Sequence, residues 1–224
     1  MLESMLGLIV GIVASAITVV LIGRYMKSKR LYLLLWALGM LLWAISAFAQ
    51  AYAILFGWSV PLYKLYYFAA VALAGFLGAG TLGIITKRER VFLGFAALMT
   101  ALSLILAISL ALTPIDQGLL NYPVVGANAV PISVRILAPI INIPAAVAFI
   151  GGAAYSFIRS RKMYALFITL GATVPAIGGT LAGALIPWAL PFTDFIGIAF
   201  LASGFYLSFT QPALKDQQKE EGRK

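Results

Sequence analysis

The chain has 224 residues, of which 62% are hydrophobic and only 10% are charged, and its mean hydropathy is +1.02. Soluble domains are about half apolar and about one quarter charged, so this composition excludes an ordinary soluble domain, a disordered chain and a coiled coil. The chain contains no cysteine and no histidine, which excludes disulfides, thiolate metal sites and the most common general base. We therefore expect an all-α, polytopic membrane protein.

Seven apolar stretches are long enough to cross a bilayer, because a spanning helix needs about 20 mostly apolar residues. They cover residues 5–23, 31–57, 62–86, 91–113, 134–158, 163–186 and 191–210. The sequence thus predicts one seven-helix transmembrane domain over residues 1–210 and a short polar cytoplasmic tail over residues 211–224. We expect the first stretch to be a retained helix, because Glu3 is the only charge before it and a signal peptide needs a basic leader.

The distribution of basic residues predicts the orientation of the bundle. Of the 16 lysines and arginines, only Lys64 and Arg135 fall on one side of the predicted topology. The positive-inside rule therefore places the N-terminus outside and the C-terminus in the cytoplasm of a cell membrane. Short basic turns facing anionic lipid also explain the net charge of +9, so we expect the lipid bilayer, and not nucleic acid, as a partner.

Stretches one to three and five to seven run in the same direction, which is the pattern of a 3+1+3 parallel repeat. Pairing residues that are 132 apart aligns 31–54 with 163–186 and matches Tyr32 with Tyr164 and Gly39 with Gly171. The alternative is chance matching among Leu, Ile and Ala in two apolar helices. Parallel repeats recur among transporters, whose binding sites lie at the repeat interface.

Ionisable side chains inside a membrane are costly and indicate function. Asp194 is the only acid inside an apolar stretch, and the predicted topology places Lys64 and Arg135 in the same leaflet. These three residues are candidates for a salt-bridge cluster that binds a ligand or ion. The alternative is that the two basic side chains merely extend to the lipid headgroups.

A second candidate layer of polar side chains lies deeper in the predicted bundle. It consists of Asn142, which shares a helical face with Arg135, together with Gln50 and Thr173. These residues are candidates for the wall of an outward-opening pocket beneath the charged mouth. The alternative is that they form hydrogen bonds between helices and serve packing alone.

Several classes of activity are not expected. The acids are too scattered to form a metal site, and neither a Ser-His-Asp nor a Cys-His arrangement can exist without histidine. We therefore expect no enzyme, no metal and no cofactor. Three functions remain open: a small-solute or ion transporter, a ligand-binding receptor or sensor that acts through a signalling partner, and a structural or assembly subunit. Homo-oligomer formation also remains open.

Three stretches carry a resemblance to known proteins, namely residues 35–63, 135–156 and 171–181. On these stretches the chain resembles a family of prokaryotic seven-helix membrane proteins, and this likeness implies a topology and no biochemistry. In plan it is also similar to the seven-helix sensor modules of histidine kinases, without their signalling domain. The chain differs from retinal proteins because 192–210 contains no lysine, and from PQ-loop transporters because it contains no Pro-Gln pair.

Overall fold

The computed structural model describes residues 1–86, 88–120, 129–183 and 188–221, and the side chains of these residues except 180, 182, 183 and 209–221. The described chain is all-helical, which confirms the all-α part of the predicted fold class. The helices are α1 (Leu2–Ser28), α2 (Leu31–Phe56), α3 (Val60–Ile85), α4 (Glu89–Leu112), α5 (Ile132–Arg135), α6 (Leu137–Ala146), α7 (Gly152–Ser160), α8 (Met163–Gly183) and α9 (Ala189–Glu221). One 3-10 turn (Gln117–Leu119) follows α4, and a π-helical segment (Val147–Gly151) joins α6 to α7.

Six helical segments of the described chain are long and apolar enough to cross a membrane, as expected of a multi-pass membrane protein. Within α8, the apolar part Met163–Gly179 is shorter than these six. The predicted end of the sixth stretch at residue 186 lies outside the described residues, as do 121–128 of the long loop. Helix α9 continues to Glu221, so residue 210 is not a helix end.

The fifth apolar stretch is not the single regular helix that the sequence predicts. It is divided into α5, α6, the π segment and α7, with Pro144 inside α6. Proline has no backbone N–H and its ring displaces the carbonyl four residues earlier, so it weakens the helix locally. A π segment accommodates one additional residue in a turn and is frequent at functional sites. The fifth stretch is therefore the irregular element of the bundle.

The helices form a closed ring with one helix outside it. Around the ring, α1 packs on α2, α2 on α3, α3 on the fifth stretch, the π segment and α7 on α8, α8 on α9, and α9 again on α1. Helix α4 lies outside this ring and packs on α3, α5 and α6. We call the end of the bundle with the α2–α3 turn the upper end, and the end with the α7–α8 turn the lower end.

The hairpin α2–α3 and the hairpin α8–α9 are packed by equivalent glycines. A Cβ built on Gly80 would lie 3.0 Å from the carbonyl oxygen of Tyr32, and one built on Gly204 would lie 3.0 Å from that of Tyr164. In the same manner, a Cβ built on Gly39 would meet the side chain of Leu77, and one built on Gly171 would meet that of Leu201. The matched positions of the two hairpins are Tyr32 and Tyr164, Gly39 and Gly171, Leu77 and Leu201, and Gly80 and Gly204. Both hairpins depend on close approach of backbones, which small residues allow.

The turn that precedes each hairpin is also the same. Lys29 and Arg161 both adopt a left-handed backbone, with φ of 55° and 52°. Each donates its N–H over 2.7 Å to the carbonyl four residues earlier, so each closes the preceding helix. In both turns the preceding serine, Ser28 or Ser160, donates its hydroxyl to a carbonyl one turn back. The two turns are therefore equivalent in sequence spacing and in hydrogen bonding.

Three apolar clusters lie among the described residues, and the two largest fill most of the bundle. One is centred on Trp36, whose ring meets Phe149 and Phe205 edge-on at 5.4 Å and 5.0 Å. This cluster joins α2 to the π segment and α9, so it connects the two hairpins through the interior of the ring. The other lies among α3, α4, α5 and α6 and includes Trp58 and Tyr63. The candidate site residues lie near the upper end, next to this second cluster.

Candidate functional site

An aromatic cluster lies at the upper end of α3. Tyr63, Tyr66 and Tyr67 share one face of the helix because they are three and four residues apart. Trp58, from the turn before α3, meets Tyr63 edge-on at 5.7 Å and Tyr66 at 5.0 Å between ring centroids. Tyr63 is 1% exposed, so the cluster is anchored in the core while Tyr66 stays partly accessible.

Asp194 faces this cluster. It lies near the upper end of α9, is only half-exposed, and is close enough to the Tyr66 hydroxyl to interact with it electrostatically. Because α3 and α9 are not neighbours in the ring, this interaction crosses the interior of the bundle. Among the residues described, no cation interacts with the carboxylate of Asp194. The predicted salt-bridge cluster therefore does not include a cation at this carboxylate in the described part of the chain.

Arg135 also interacts with this cluster. It is the last residue of α5, is half-buried, and interacts electrostatically with Tyr67. The tyrosine face of α3 is thus in electrostatic contact with an acid of α9 and with a guanidinium of α5. An anionic and a cationic side chain beside hydroxylated rings can bind opposite ends of a polar solute.

Lys64 is directed toward α4. Its Nζ donates a hydrogen bond of 3.2 Å to the carbonyl oxygen of Ala111, in the last turn of that helix. Carbonyls at a helix C-terminus carry partial negative charge and favour a lysine there. Lys64 therefore ties the end of α4 to α3, and its predicted binding role stays a prediction.

The deeper polar residues have separate environments. The Oδ1 atom of Asn142 is buried and has no hydrogen-bond partner. Thr173 donates its hydroxyl over 2.8 Å to the carbonyl of Thr169 in its own helix, and Gln50 is half-buried in α2. Among the described residues, no hydrogen bond joins these side chains to one another. Asn142 alone of the three retains a buried, unused acceptor.

Sequence analysis missed the tyrosine face as part of the site. Tyr66 and Tyr67, which interact with Asp194 and Arg135, are not among the predicted site residues. The signal that could have found them is the i, i+3, i+4 spacing of Tyr63, Tyr66 and Tyr67, which places three hydroxyls on one face.

Within the described ranges, no group of three or more acidic side chains could hold a metal ion. Comparisons with protein-family models, with curated proteins and with solved structures find no match to this chain. Its function is therefore inferred from its own geometry.

Proposed function

We propose that this multi-pass membrane protein is a transporter of a small solute or ion, located in the cell membrane with its N-terminus outside and its C-terminus in the cytoplasm. The transported species is a small cation or a proton. It binds at the upper end of the bundle, between Asp194 of α9 and the tyrosine face of α3. In this orientation the upper end is the extracellular one.

The observation that carries this proposal is the carboxylate of Asp194. It belongs to an apolar helix, faces the interior of the ring, and interacts with no cation among the described residues. Ionisable groups inside a membrane-spanning helix are costly, so such a group is retained where it has a role. A carboxylate without a resident counterion is suited to take up a proton or a small cation.

The similarity of the two hairpins supports the same proposal. Equivalent glycine contacts in the two hairpins, and equivalent left-handed turns before them, favour duplication of a three-helix unit, with α4 between the copies. Transporters built from such repeats bind their substrate at the interface between the copies. The Asp194–Tyr66 interaction joins the third helix of one unit to the third helix of the other.

The test is flux into liposomes that contain the purified protein. We expect proton movement, followed with an entrapped pH-sensitive dye, or uptake of labelled methylammonium. Asp194→Asn is expected to abolish this flux, because the neutral side chain cannot balance a positive charge. Asp194→Glu is expected to retain part of it.

The matched control is Glu89→Gln, which removes an acid from the exposed first turn of α4 and is expected to leave flux unchanged. Flux that survives Asp194→Asn, or wild-type liposomes that move neither protons nor methylammonium, would contradict the proposal.

A receptor or sensor is the second candidate, and one observation favours it. The helix that carries Asp194 continues to Glu221, beyond the apolar part that ends at Ser208. A ligand bound at Asp194 would thus act on a continuous helix that reaches a partner protein on the opposite side of the membrane. Thermal stabilisation of the purified protein by methylammonium, without any flux, would favour this function over transport.

A further inference from the structure

In the first three-helix unit, α1 is docked on α2. A Cβ built on Gly7 would lie 3.2 Å from the carbonyl oxygen of Ala47 and 3.2 Å from the Cβ of Ala51. Gly11, one turn on, contacts the ring of Phe48. Both glycines are buried and Ala47 is only 3% exposed. The line of contact between α1 and α2, which we call the seam between them, is therefore closed near the upper end.

The equivalent positions in the fifth stretch follow from the shared turns and the π segment. The turns at Lys29 and Arg161 align the lower ends of α1 and α7. The π segment adds one residue to the fifth stretch between α6 and the turn. Residues of α6 therefore correspond to residues of α1 that are 131 positions earlier, whereas the turns are 132 positions apart. Burial agrees with this register, because four residues are all 0% exposed: Val10 and Ala14 in α1, and their counterparts Ile141 and Ala145 in α6.

In this register Gly7 corresponds to Ala138, and Gly11 corresponds to Asn142. Ala138 and Asn142 are only half-buried, whereas both glycines are buried. The α8 residue that corresponds to Ala47 is Gly179, which is exposed and has open space within 4 Å of a built Cβ.

Contacts between whole helices show the same difference. The π segment and α7 pack on α8, whereas α6 packs on α3 and α4. At the described positions, α6 and the upper half of α8 therefore stand apart, so the seam between them is open. The corresponding seam between α1 and α2 is closed. The break at Pro144 and the π segment lies at the point where the two helices separate.

We propose that this open seam is the solute cleft of the transporter, and that it closes when α6 docks on α8 through the contacts that α1 makes with α2. This proposal rests on the proposed function, and it adds the location of the solute cleft and the helix movement that closes it. The π segment and Pro144 form the hinge. Asn142 lies in the seam with a buried acceptor atom, so the cleft takes a solute that donates hydrogen bonds, such as a primary ammonium ion.

Because the chain contains no cysteine, a pair of introduced cysteines tests the motion directly. The test pair is Ala138→Cys with Gly179→Cys. We expect an intramolecular disulfide on mild oxidation in liposomes, with loss of methylammonium uptake that a reductant restores.

Two further pairs serve as controls. Gly7→Cys with Ala51→Cys lies across the closed seam, where the Cβ separation is near the roughly 3.5–4.5 Å of a disulfide, so it is expected to form one in every condition. Ile143→Cys with Gly179→Cys uses a residue of α6 that is 65% exposed, like its counterpart Ile12 at 62%. This pair is expected to stay reduced.

The outcomes separate the cleft from the proposed function. No intramolecular disulfide in the test pair, a disulfide only between two copies of the chain, or uptake that is unchanged by the disulfide would overturn the cleft, whether or not the wild type transports. A disulfide that forms in the test pair, while wild-type liposomes move neither protons nor methylammonium, would support closure of the seam and overturn transport.

Discussion

The two proposed three-helix units differ in one helix out of three. Their hairpins, α2–α3 and α8–α9, are packed through the same positions, down to the carbonyls of Tyr32 and Tyr164. Their first helices are not alike, because α1 is continuous and the fifth stretch is divided at Pro144 and the π segment. The hairpins thus form the constant part of each unit, and the helix beside them is the part that varies.

This difference indicates where stability and movement are located. In the hairpins, glycines allow backbones to meet, so little displacement is possible without loss of packing. The fifth stretch lacks a regular hydrogen-bond ladder at its middle and keeps a row of exposed apolar residues on α6. A helix whose lower part packs on α8, while its upper part packs on α3 and α4, can pivot at the break between the two parts while the hairpins stay intact.

The largest effect is expected where the hairpins are most alike. Gly80→Leu and Gly204→Leu each place a side chain against a carbonyl that is 3.0 Å from a built Cβ, and we expect each to lower the free energy of unfolding by about 3 kcal/mol or more. Thermal unfolding in detergent, followed by size-exclusion chromatography, measures the change. Gly94→Leu is the control, because nothing lies within 4 Å of its built Cβ. A large effect at Gly80 and none at Gly204 would break the equivalence.

A smaller effect is expected at the break in the fifth stretch. Pro144→Ala restores one backbone N–H inside α6, and we expect stabilisation of about 1 kcal/mol together with a straighter helix and slower methylammonium uptake. Pro139→Ala is the comparison, because Pro139 lies at the junction of α5 and α6, away from the π segment. Equal effects of the two substitutions on unfolding temperature and uptake would show that Pro144 has no special role.

The smallest effect is expected at Lys64, which has no basic counterpart in the second hairpin because the equivalent residue is Trp188. Lys64→Met removes the hydrogen bond to Ala111, and we expect a loss of about 0.3–1 kcal/mol in stability with unchanged uptake. Lys64→Arg should recover most of that stability. If Lys64→Met abolished uptake without lowering stability, Lys64 would instead be assigned to the binding site.

Much of the fold could be predicted because it depends on local properties of the sequence. Apolar length and short charged turns predicted the helices, and the spacing of Tyr32 and Tyr164 predicted the relation between α2 and α8. The relation between α3 and α9 was missed because the second hairpin is shorter, so one sliding comparison cannot align both of its helices. Gly80 and Gly204 match only after that difference is taken into account.

The site was predicted less completely, because it depends on contacts between distant helices. Asp194 and Arg135 could be selected by charge alone, but their tyrosine neighbours depend on how α3 packs inside the ring. The role of Lys64 depends on where α4 ends. The π segment could not be predicted, because nothing in the composition of Val147–Gly151 separates it from a regular apolar helix.

Helix α4 has a consequence of its own, since it lies outside the ring and packs on one side only. A unit with an odd number of membrane crossings delivers the chain to the opposite side, so a second copy attached directly would be inserted upside down. One additional crossing between the copies returns the chain to the first side of the membrane, so both copies have the same orientation in the bilayer. On the proposed seven-span topology α4 supplies that crossing, and Met99 and Leu106, both 0% exposed, anchor it to the ring.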